Sequence, residues 1–293
     1  RALKLAEHLP DMARLGAQAS AADVVHFQWL ALPALDRLLL PRARPLVLTV
    51  HGAPPRDRRL LSRFDALIAH SAHGARRLSG EAGVVPERVH VIPHGAFAHL
   101  AATAPAQLPS ELLEPAPATP VVLCFGLVRP YKGLEVLLDA WRMVDGAQLW
   151  IVGRPRFDIA PLRAHAPASV RWVPRFVSDR ELAACFRRAD IVALPYRESE
   201  QSGVLATALA FGAPILASDV GGFGEVAAAG AARLVPAGDA HALATALSEL
   251  LADQAQRERL SLAARALAAG PWSWSAVAER TLTVYRSLVS SAG

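Results

Sequence analysis

The sequence predicts an α/β protein made of two domains, each built around a parallel sheet. Short apolar runs alternate with segments of helical periodicity, which is the order of stacked β-α units. A proline-rich stretch at residues 100–120 interrupts this alternation near the middle of the chain. With 293 residues and 53% hydrophobic content, the chain is long enough to bury two ordinary cores.

The first half predicts a Rossmann-like domain over residues 1–104. Its candidate strands are residues 24–27, 46–50, 66–69 and 89–92, each a short apolar run. The chain opens in what reads as an amphipathic helix, without a signal peptide. The composition of residues 105–120, with repeated prolines, is typical of a linker between domains.

The second half predicts a complete Rossmann-like domain over residues 121–270. Its six candidate strands are residues 121–125, 149–152, 170–173, 191–194, 215–217 and 233–235. Helices are expected between them at 134–143, at 179–188 with Ser178 as the cap, and at 240–251. Residues 271–293 are expected to form a last helix that crosses back to the first domain.

Charge and hydropathy narrow the class of partner. Basic residues outnumber acidic ones by 31 to 26, and no aromatic residues alternate with the densest basic cluster, which argues against nucleic-acid binding. That cluster is interpreted as a solvated surface, with a peripheral membrane face as the second reading. It comprises Arg56, Arg58, Arg59 and Arg63. The apolar runs are too short or too broken to span a bilayer, so we expect a cytoplasmic protein, with contact at the inner face of the membrane left open.

The sequence around the two cysteines predicts that they serve packing. Cys124 and Cys185 lie in apolar surroundings without C-x-x-C or histidine spacing. A disulfide or a metal site is therefore not expected, and a reducing compartment is the default.

The first motif with chemical content is F-G-L-V-R-P-Y-K-G at residues 125–133. A strand ends at Gly126, and the turn that follows carries Arg129 and Lys132. Ligands bind at the carboxyl ends of strands in open α/β sheets, and both cations suit phosphate oxygens. Alone, this motif is better interpreted as a solvated loop.

The second motif begins with Q-S-G at Gln201 and opens a helix over residues 204–211. Its main-chain N–H groups and the positive end of its dipole suit an anion. Ser202 could equally be an ordinary N-cap. Because the two motifs occur together, we predict that they meet at one diphosphate site.

The chain resembles the family-four type of retaining glycosyltransferases, which have the GT-B fold, and within them a Q-S-G subgroup. Nine segments carry this resemblance in the family's order and over nearly the whole chain. They are A-D-V-V-H-F-Q-W (22–29), L-V-L-T-V-H-G (46–52), F-D-A-L-I-A-H-S (64–71), V-H-V-I-P-H-G (89–95), F-G-L-V-R-P-Y-K-G (125–133), L-W-I-V-G (149–153), F-V-S-D-R-E-L (176–182), A-D-I-V-A-L-P-Y (189–196) and A-F-G-A-P-I-L-A-S-D-V-G-G (210–222).

The resemblance implies two Rossmann-like domains that face a cleft, the first of them without the family's first strand and glycine-rich loop. It implies transfer of a hexose from a nucleotide-diphosphate donor, with retention, without a metal and without a further cofactor. Arg129 and Lys132 would neutralise the diphosphate as charge builds on the leaving group. The remaining donor contacts would come from Gly126, from Ser202, Gly203 and Val204, and, for the base, from main-chain groups at Arg175, Phe176 and Val177.

Several positions depart from the family pattern. Leu127 stands where many members have an arginine, and Ser199 and Thr207 stand where they have two glutamates. Glu200 is the candidate for the first glutamate, Gln201 offers further hydrogen bonds to sugar hydroxyls, and Thr207 is kept as a donor contact. His51 matches the family's histidine that lies against the donor sugar. His26 and His94 are expected to be structural.

The missing glutamate keeps a second hypothesis open, a catalytically degenerate GT-B scaffold that binds a sugar or a partner. A nucleotide-sugar epimerase is a third, although no clear acid/base pair supports it. For a transferase, the acceptor would be a glycan, a lipid or a small molecule, as in synthesis of cell-envelope polysaccharide. Sequence does not name the base, the sugar or the acceptor.

Overall fold

The computed structural model describes residues 2–41, 45–105, 107–112 and 119–292. The chain divides into two compact units: unit 1, residues 1–93 with 275–293, and unit 2, residues 94–274. The division thus falls after residue 93, whereas the sequence-based domain boundary falls after residue 104. Of the predicted linker, residues 106 and 113–118 lie outside the described residues.

The described residues form ten strands and thirteen α-helices. The strands are β1 (Val25–Phe27), β2 (Leu46–Val50), β3 (Ala66–Ala69), β4 (Val89–Val91), β5 (Val121–Phe125), β6 (Gln148–Val152), β7 (Val170–Val173), β8 (Ile191–Leu194), β9 (Ile215–Ser218) and β10 (Ala232–Val235). The helices are α1 (Ala2–Ala19), α2 (Pro33–Leu39), α3 (Arg58–Leu61), α4 (Ala72–Gly80), α5 (Ala98–Ala102), α6 (Leu134–Trp141), α7 (Ala160–Ala164), α8 (Asp179–Arg188), α9 (Gly203–Phe211), α10 (Phe223–Ala228), α11 (Ala240–Ala252), α12 (Gln254–Ala269) and α13 (Trp274–Ala292).

Unit 1 contains a four-stranded parallel sheet in the order β1-β2-β3-β4. Leu46, Leu48 and Leu67 point into a core with Phe64, which is closed by α3 and α4. The residues between them in the strands point to the other face, where they meet Val284 of α13. This alternation follows from the two-residue period of strand side chains, and both faces of the sheet are apolar as parallel sheets require.

Unit 2 contains a six-stranded parallel sheet in the order β10-β9-β8-β5-β6-β7. The chain runs outward from β5 through β6 and β7 and then returns to place β8 on the other side of β5. This is the doubly wound order of a Rossmann-like domain, and its switch point lies between β5 and β8. All six strands predicted for the second half are present, each with both ends within one residue of the prediction.

Helix α8 shows how local sequence fixes an element of unit 2. Ser178 is the predicted cap: it accepts a hydrogen bond from the Glu181 N–H. The Glu181 carboxylate in turn accepts one from the Ser178 N–H, so the two residues form a capping box. Helix α6 ends at Trp141, two residues before the predicted end, because the N–H groups of Met143 and Val144 turn back to the carbonyls of Ala140 and Trp141.

Residues just after the division at 93 belong to unit 2 through contacts that the composition did not reveal. Helix α5 packs on α8 and α9. The Arg187 guanidinium donates to the carbonyl oxygens of Ala101 and Thr103, and the Ala96 N–H donates to the Trp272 carbonyl. The segment that reads as the start of a linker is therefore anchored to unit 2.

Neither a membrane-spanning helix nor a disulfide is found among the residues that the structure describes. No helix of the described ranges combines the length and hydropathy needed to cross a bilayer. Cys124 and Cys185 are both buried and free, and burial raises the pKa of the Cys124 thiol to about 11 and that of Cys185 to about 12. The prediction that they serve packing is confirmed.

Candidate functional site

The loop after β5 carries a buried cation. The Lys132 side chain is only 7% exposed, and its Nζ donates to the Phe125 carbonyl oxygen at 3.1 Å. The ammonium also lies 5.1 Å from the centre of the Tyr196 ring. A short 3₁₀ turn, Pro130–Lys132, and Gly133 in the left-handed region turn the chain so that Lys132 points back under the end of β5.

Gly126 is the point where this cation and helix α9 meet. Its φ is +97°, and a Cβ built on it would lie 2.9 Å from both Lys132 Nζ and Val204 Cγ2. Any side chain here would displace the ammonium or the first turn of the helix. The structure therefore brings Lys132 and the start of α9 together at the switch point of the sheet, and Gly126 permits the approach.

The environment of Lys132 lowers its pKa to about 8. Burial is the main cause, and the positive charge of Arg129 adds to it. Arg129 is exposed, and its charge acts on the same site. No ion pair of Lys132 with a carboxylate is found within the described ranges. A bound anion would restore the usual pKa by favouring the charged form.

The start of α9 differs in one respect from the prediction of uncapped donors. Ser202 is a true N-cap, since its Oγ accepts from the Leu205 N–H at 3.2 Å. The Ala206 N–H is bonded to the Ser202 carbonyl as in any helix. For the N–H groups of Gly203 and Val204, no acceptor is found among the residues that the structure describes. Two donors at the positive end of the helix dipole thus remain available to an anion.

Backbone contacts join the two motif loops. The Arg197 N–H donates to the Tyr131 carbonyl oxygen at 2.7 Å. A Cβ on Gly133, whose φ is +65°, would lie 2.0 Å from the Pro195 carbonyl oxygen. The loop after β5 and the loop after β8 are consequently in main-chain contact, which fixes Lys132 relative to α9.

The candidate sugar and ribose contacts lie at the same end of α9. The Oε1 atom of Gln201 is buried, and no hydrogen-bond partner for it is found in the described part of the chain. Glu200 is half-buried, and its main chain packs against Gly221. Thr207 is buried, and its Oγ1 donates to the Gly203 carbonyl oxygen at 2.8 Å, so its proton is already used within the helix.

The three residues proposed for base recognition follow β7. The Arg175 guanidinium pairs with the carboxylates of Glu111 and Glu181 and donates to the Phe176 carbonyl oxygen at 3.1 Å. The Arg175 N–H donates to the Val173 carbonyl. Val177 is buried, whereas the Phe176 ring is 77% exposed. Two of the main-chain groups expected to read the base are therefore already bonded within the loop.

The predicted histidine of unit 1 belongs to a larger cluster, here called the histidine cluster and defined as His26, Gln28, Trp29, His51 and His70. These residues lie at or just beyond the carboxyl ends of β1, β2 and β3. His51 Nδ1 is 2.9 Å from His70 Nε2, and His51 Nε2 is 3.1 Å from Gln28 Oε1. The Trp29 ring stacks on the His51 ring, with centroids 4.5 Å apart and planes 16° apart.

His26 forms the inner end of the histidine cluster. Its Nε2 lies 2.8 Å from Thr49 Oγ1, and its Nδ1 lies 2.5 Å from the Tyr285 hydroxyl. Burial, with a contribution from His51, lowers the pKa of His26 to about 4, so this ring is neutral at physiological pH. Its contacts agree with the structural role predicted for it.

His94, the other histidine expected to be structural, belongs to unit 2. It forms edge contacts with the rings of Phe97 and Trp274. The turn there is close-packed, because a Cβ on Gly95 would lie 2.5 Å from the Trp274 ring.

Sequence reasoning did not single out His70, Gln28 or Trp29. All three occur in segments that carry the family resemblance, yet none follows a recognisable spacing relative to His51. Gln28 and Trp29 extend the β1 segment and His70 directly follows β3, so only the register of the parallel strands brings them to His51. No group of three or more potential metal ligands is found in the described part of the chain.

Comparison with known families gives two matches that together cover most of the chain. Residues 3–96 match the family model described as Glycosyltransferase Family 4. Residues 119–253 match the model described as Glycosyl transferases group 1. The first match falls within unit 1 and the first residues of unit 2, and the second within unit 2.

Three curated relatives are between 32% and 42% identical to this chain over the aligned residues. A phosphatidyl-myo-inositol mannosyltransferase of Mycobacterium leprae is 42% identical over 171 residues, which are 55% of this chain and 45% of the relative. A GDP-mannose:glycolipid 4-beta-D-mannosyltransferase of Xanthomonas campestris is 32% identical over 68% of this chain and 62% of its own. A D-inositol 3-phosphate glycosyltransferase of Nocardia farcinica is 34% identical over 78% of this chain and 54% of the relative. The chain spans less than two thirds of the length of these relatives.

Solved structures resemble the whole chain in fold. Anabaena HepE in complex with UDP superposes with a TM-score of 0.76 at 18% identity, covering 96% of this chain and 82% of HepE. A sucrose-phosphate synthase from Thermosynechococcus elongatus has the same TM-score at 22% identity, covering 98% of this chain and 80% of the synthase. At such identities the similarity concerns the fold, and the predicted α/β class of the GT-B type is confirmed.

Proposed function

We propose that this chain, which contains a Glycosyltransferase Family 4 domain and a Glycosyl transferases group 1 domain, transfers a hexose from a nucleotide-diphosphate donor to an acceptor. The names of its relatives, which are mannosyltransferases and glycosyltransferases, support an enzyme of this type. They do not favour the alternative of a degenerate scaffold without catalysis.

One observation carries the proposal, the buried ammonium of Lys132 beside Gly126 and the first turn of α9. A buried charge is costly unless an opposite charge or hydrogen bonds compensate it. The Phe125 carbonyl supplies one hydrogen bond, the Tyr196 ring lies 5.1 Å away, and burial lowers the pKa of Lys132 to about 8. A diphosphate would supply the missing negative charge, with Arg129 and the N–H groups of Gly203 and Val204 as further contacts.

The same groups account for the chemistry. As the bond between the sugar and the diphosphate breaks, negative charge grows on the leaving phosphate oxygen. Lys132, Arg129 and the dipole of α9 stabilise that charge more strongly than the charge of the bound donor, which lowers the barrier. In this proposal they act without a metal ion. Retention of configuration is proposed on the family resemblance alone.

Glu200, Gln201 and His51 would contact the donor sugar, and the buried Oε1 of Gln201 suits a donated hydroxyl proton. The relatives' names suggest a mannosyl or similar group, and an acceptor that is lipid-linked or an inositol derivative. Such an acceptor favours action at the inner face of the membrane as a peripheral protein.

The proposal is tested by thermal unfolding in the presence of GDP-mannose, UDP-glucose and ADP-glucose. A ligand that binds only the folded state at about 100 times its Kd adds about 2.7 kcal/mol to the free energy of unfolding, so a clear rise in Tm is expected for at least one of them. The rise should disappear in Lys132→Ala.

Arg180→Ala serves as the matched control, because it removes one exposed positive charge from α8 in unit 2 without touching the site. This variant should keep the full rise in Tm. Release of nucleoside diphosphate in the presence of a lipid-linked or inositol acceptor then measures transfer. If no nucleotide sugar stabilises the wild-type protein, the proposed function is wrong.

A further inference from the structure

The strongest unexplained feature away from Lys132 is the pattern of contacts among the side chains of the histidine cluster. His51 is the residue that the family resemblance singles out, yet each of its ring nitrogens already lies next to another side chain of the cluster. His70 stands at Nδ1 and Gln28 at Nε2. The Trp29 ring, 72% exposed on its outer side, covers one face of the imidazole. Such an arrangement fixes the plane of the ring and restricts its protonation pattern.

The pattern follows from a single fixed point, the carbonyl oxygen of Ile92. It lies 3.0 Å from His70 Nδ1, and a carbonyl oxygen only accepts hydrogen bonds, so His70 Nδ1 must carry a proton. In a neutral imidazole the other nitrogen then has no proton and accepts. His70 Nε2 is therefore an acceptor, and the facing His51 Nδ1 must donate to it. Neutral His51 is consequently the Nδ1–H tautomer, with its lone pair on Nε2.

The orientation of the Gln28 amide depends on whether His51 Nε2 carries a hydrogen. The structure has the Gln28 amide oxygen 3.1 Å from His51 Nε2, an orientation that fits a hydrogen on this nitrogen. With a lone pair on Nε2, the amide has to turn by half a turn and present its NH₂, because two acceptors do not bond to each other. If instead the His51–His70 pair holds one extra proton, His51 Nε2 carries a hydrogen and the amide oxygen faces it. The two states differ by half a turn of the Gln28 amide.

The other side of the Gln28 amide tolerates either orientation. It faces His26 Nε2 at 3.3 Å, and the remaining partners of His26 are the hydroxyls of Thr49 and Tyr285. A hydroxyl group both donates and accepts, so His26 can change its tautomer to match Gln28.

We propose that His70 is a positioning residue for His51: it holds the proton of the neutral ring on Nδ1 and so presents the Nε2 lone pair as an acceptor for a hydroxyl group of the substrate. The proposal rests on the proposed function, in which His51 contacts the donor sugar. A sugar hydroxyl would donate to Nε2 in place of the Gln28 NH₂.

Nuclear magnetic resonance of the ring nitrogens tests the assignment without any substrate. In protein labelled with ¹⁵N-histidine at about pH 8.5, well above the usual histidine pKa of about 6.5, two-bond correlations distinguish protonated from bare nitrogens. We expect His51 to show a bare Nε2, and we expect His70→Leu to give a mixture of both His51 tautomers. His70→Gln, which keeps an acceptor carbonyl near the same place, should restore the Nδ1–H form.

His90→Leu is the matched control, since His90 is a half-buried histidine of β4 outside the cluster. It should leave the His51 signals unchanged. A protonated Nε2 on His51 in the wild-type protein would overturn the proposal, and so would a His51 tautomer that stays unchanged in folded His70→Leu. Should His70→Leu not fold, the wild-type and His70→Gln spectra decide the tautomer.

A kinetic measurement tests whether the tautomer matters for transfer. We expect His70→Leu to lower kcat by about tenfold with little change in donor KM, and His70→Gln to recover most of the loss. An unchanged kcat together with a shifted tautomer would overturn the positioning role. Because the spectroscopic arm needs no donor, failure of the proposed function and failure of this inference are separate outcomes.

Discussion

The lysine site of unit 2 and the histidine cluster of unit 1 both lie at the carboxyl ends of parallel strands, yet they are built by different means. In unit 2 the surroundings of Lys132 depend on the main chain. Gly126 leaves space for the Lys132 ammonium, Gly133 leaves space for the Pro195 carbonyl, and α9 offers its N–H groups. In unit 1 it depends on side chains, since histidine, glutamine and tryptophan from three strand ends bond to one another. A main-chain site tolerates little change of residue size, whereas a side-chain site tolerates little change of residue chemistry.

The distribution of glycines with positive φ agrees with this difference between the two units. Of the nine glycines with positive φ in the described residues, eight lie in unit 2. Gly52, which follows His51, has open space where a Cβ would stand, with nothing within 4 Å, so the histidine cluster does not depend on it sterically. Perturbations of backbone space should therefore affect unit 2 most, and perturbations of protonation should affect unit 1.

The largest effect is expected for Gly133→Ala. The new Cβ would lie 2.0 Å from the Pro195 carbonyl oxygen, and φ of +65° is unfavourable for any side chain. The strain and the forced movement of the loop should reduce the free energy of unfolding by about 3 kcal/mol or more, as measured by urea titration.

Gly146→Ala separates the conformational strain from the close contact with Pro195 as causes of the lost free energy of unfolding. Gly146 has a similar φ of +73° but open space around its Cβ position, so only the conformational strain of about 1 kcal/mol is expected. Equal losses in the two variants would show that the close approach to Pro195 does not matter, and the idea of a site held by main-chain contacts would be lost.

Lys132→Met should have opposite effects on stability and on ligand binding. Removing a buried cation whose pKa is depressed to about 8 relieves a desolvation cost, so the ligand-free protein should keep its Tm or gain slightly. Affinity for a nucleoside diphosphate should fall by roughly 10- to 100-fold, the range expected for losing a charged hydrogen bond. Calorimetric titration with UDP and GDP measures this loss.

The pH dependence of binding gives a second check on Lys132. Because the ammonium has to be protonated to bind an anion, the affinity of the wild-type protein should weaken as the pH rises above about 8. In Lys132→Met this dependence should be absent. Exposed Arg129 provides the contrast, since Arg129→Gln should cost less affinity and leave the pH dependence in place.

The smallest effect is expected for the acid side of the stability profile. The pKa of His26 is lowered to about 4 in the folded state from the usual 6.5. Between these values the unfolded chain binds a proton that the folded protein does not, so stability is lost as the pH falls through this window. Lys132 is protonated in both states over this range and contributes nothing to the slope.

His26→Gln should flatten the acid limb while keeping hydrogen bonds to Thr49 and Tyr285 within reach. Thermal unfolding followed by circular dichroism between about pH 7 and pH 4 measures the slope for both proteins. A slope that is unchanged in the variant would assign the acid sensitivity to other groups.

Many strands and local motifs of this structure could be predicted from the sequence. The strands at 46–50, 66–69, 121–125, 170–173 and 191–194 have the predicted ends, since buried parallel strands appear as continuous apolar runs. The helix cap at Ser178 and the cations after β5 were also predicted from local patterns. Sequence placed Lys132 at a strand end because strand and turn signals are local.

Other features needed the coordinates because they depend on residues far apart in the chain. The pairing of Arg175 with Glu111 and the anchoring of α5 on unit 2 join segments whose sequence carries no mutual signal. The cap at Ser202 was foreseen as one of two alternatives, and only the Oγ contact with the Leu205 N–H decided it. The roles in binding and catalysis assigned to all the candidate site residues, Lys132 and His51 among them, stay predictions.

The sequence by itself determined the β-α alternation, the two sheets and the position of two cations at the end of β5, because apolar periodicity and turn residues act over a few neighbouring positions. Only the tertiary structure decided that Lys132 is buried against Gly126 and Val204, and that His51 bonds to His70. The physical reason is that strand order and register bring residues together across the sheet, and the resulting desolvation and hydrogen bonds set their protonation.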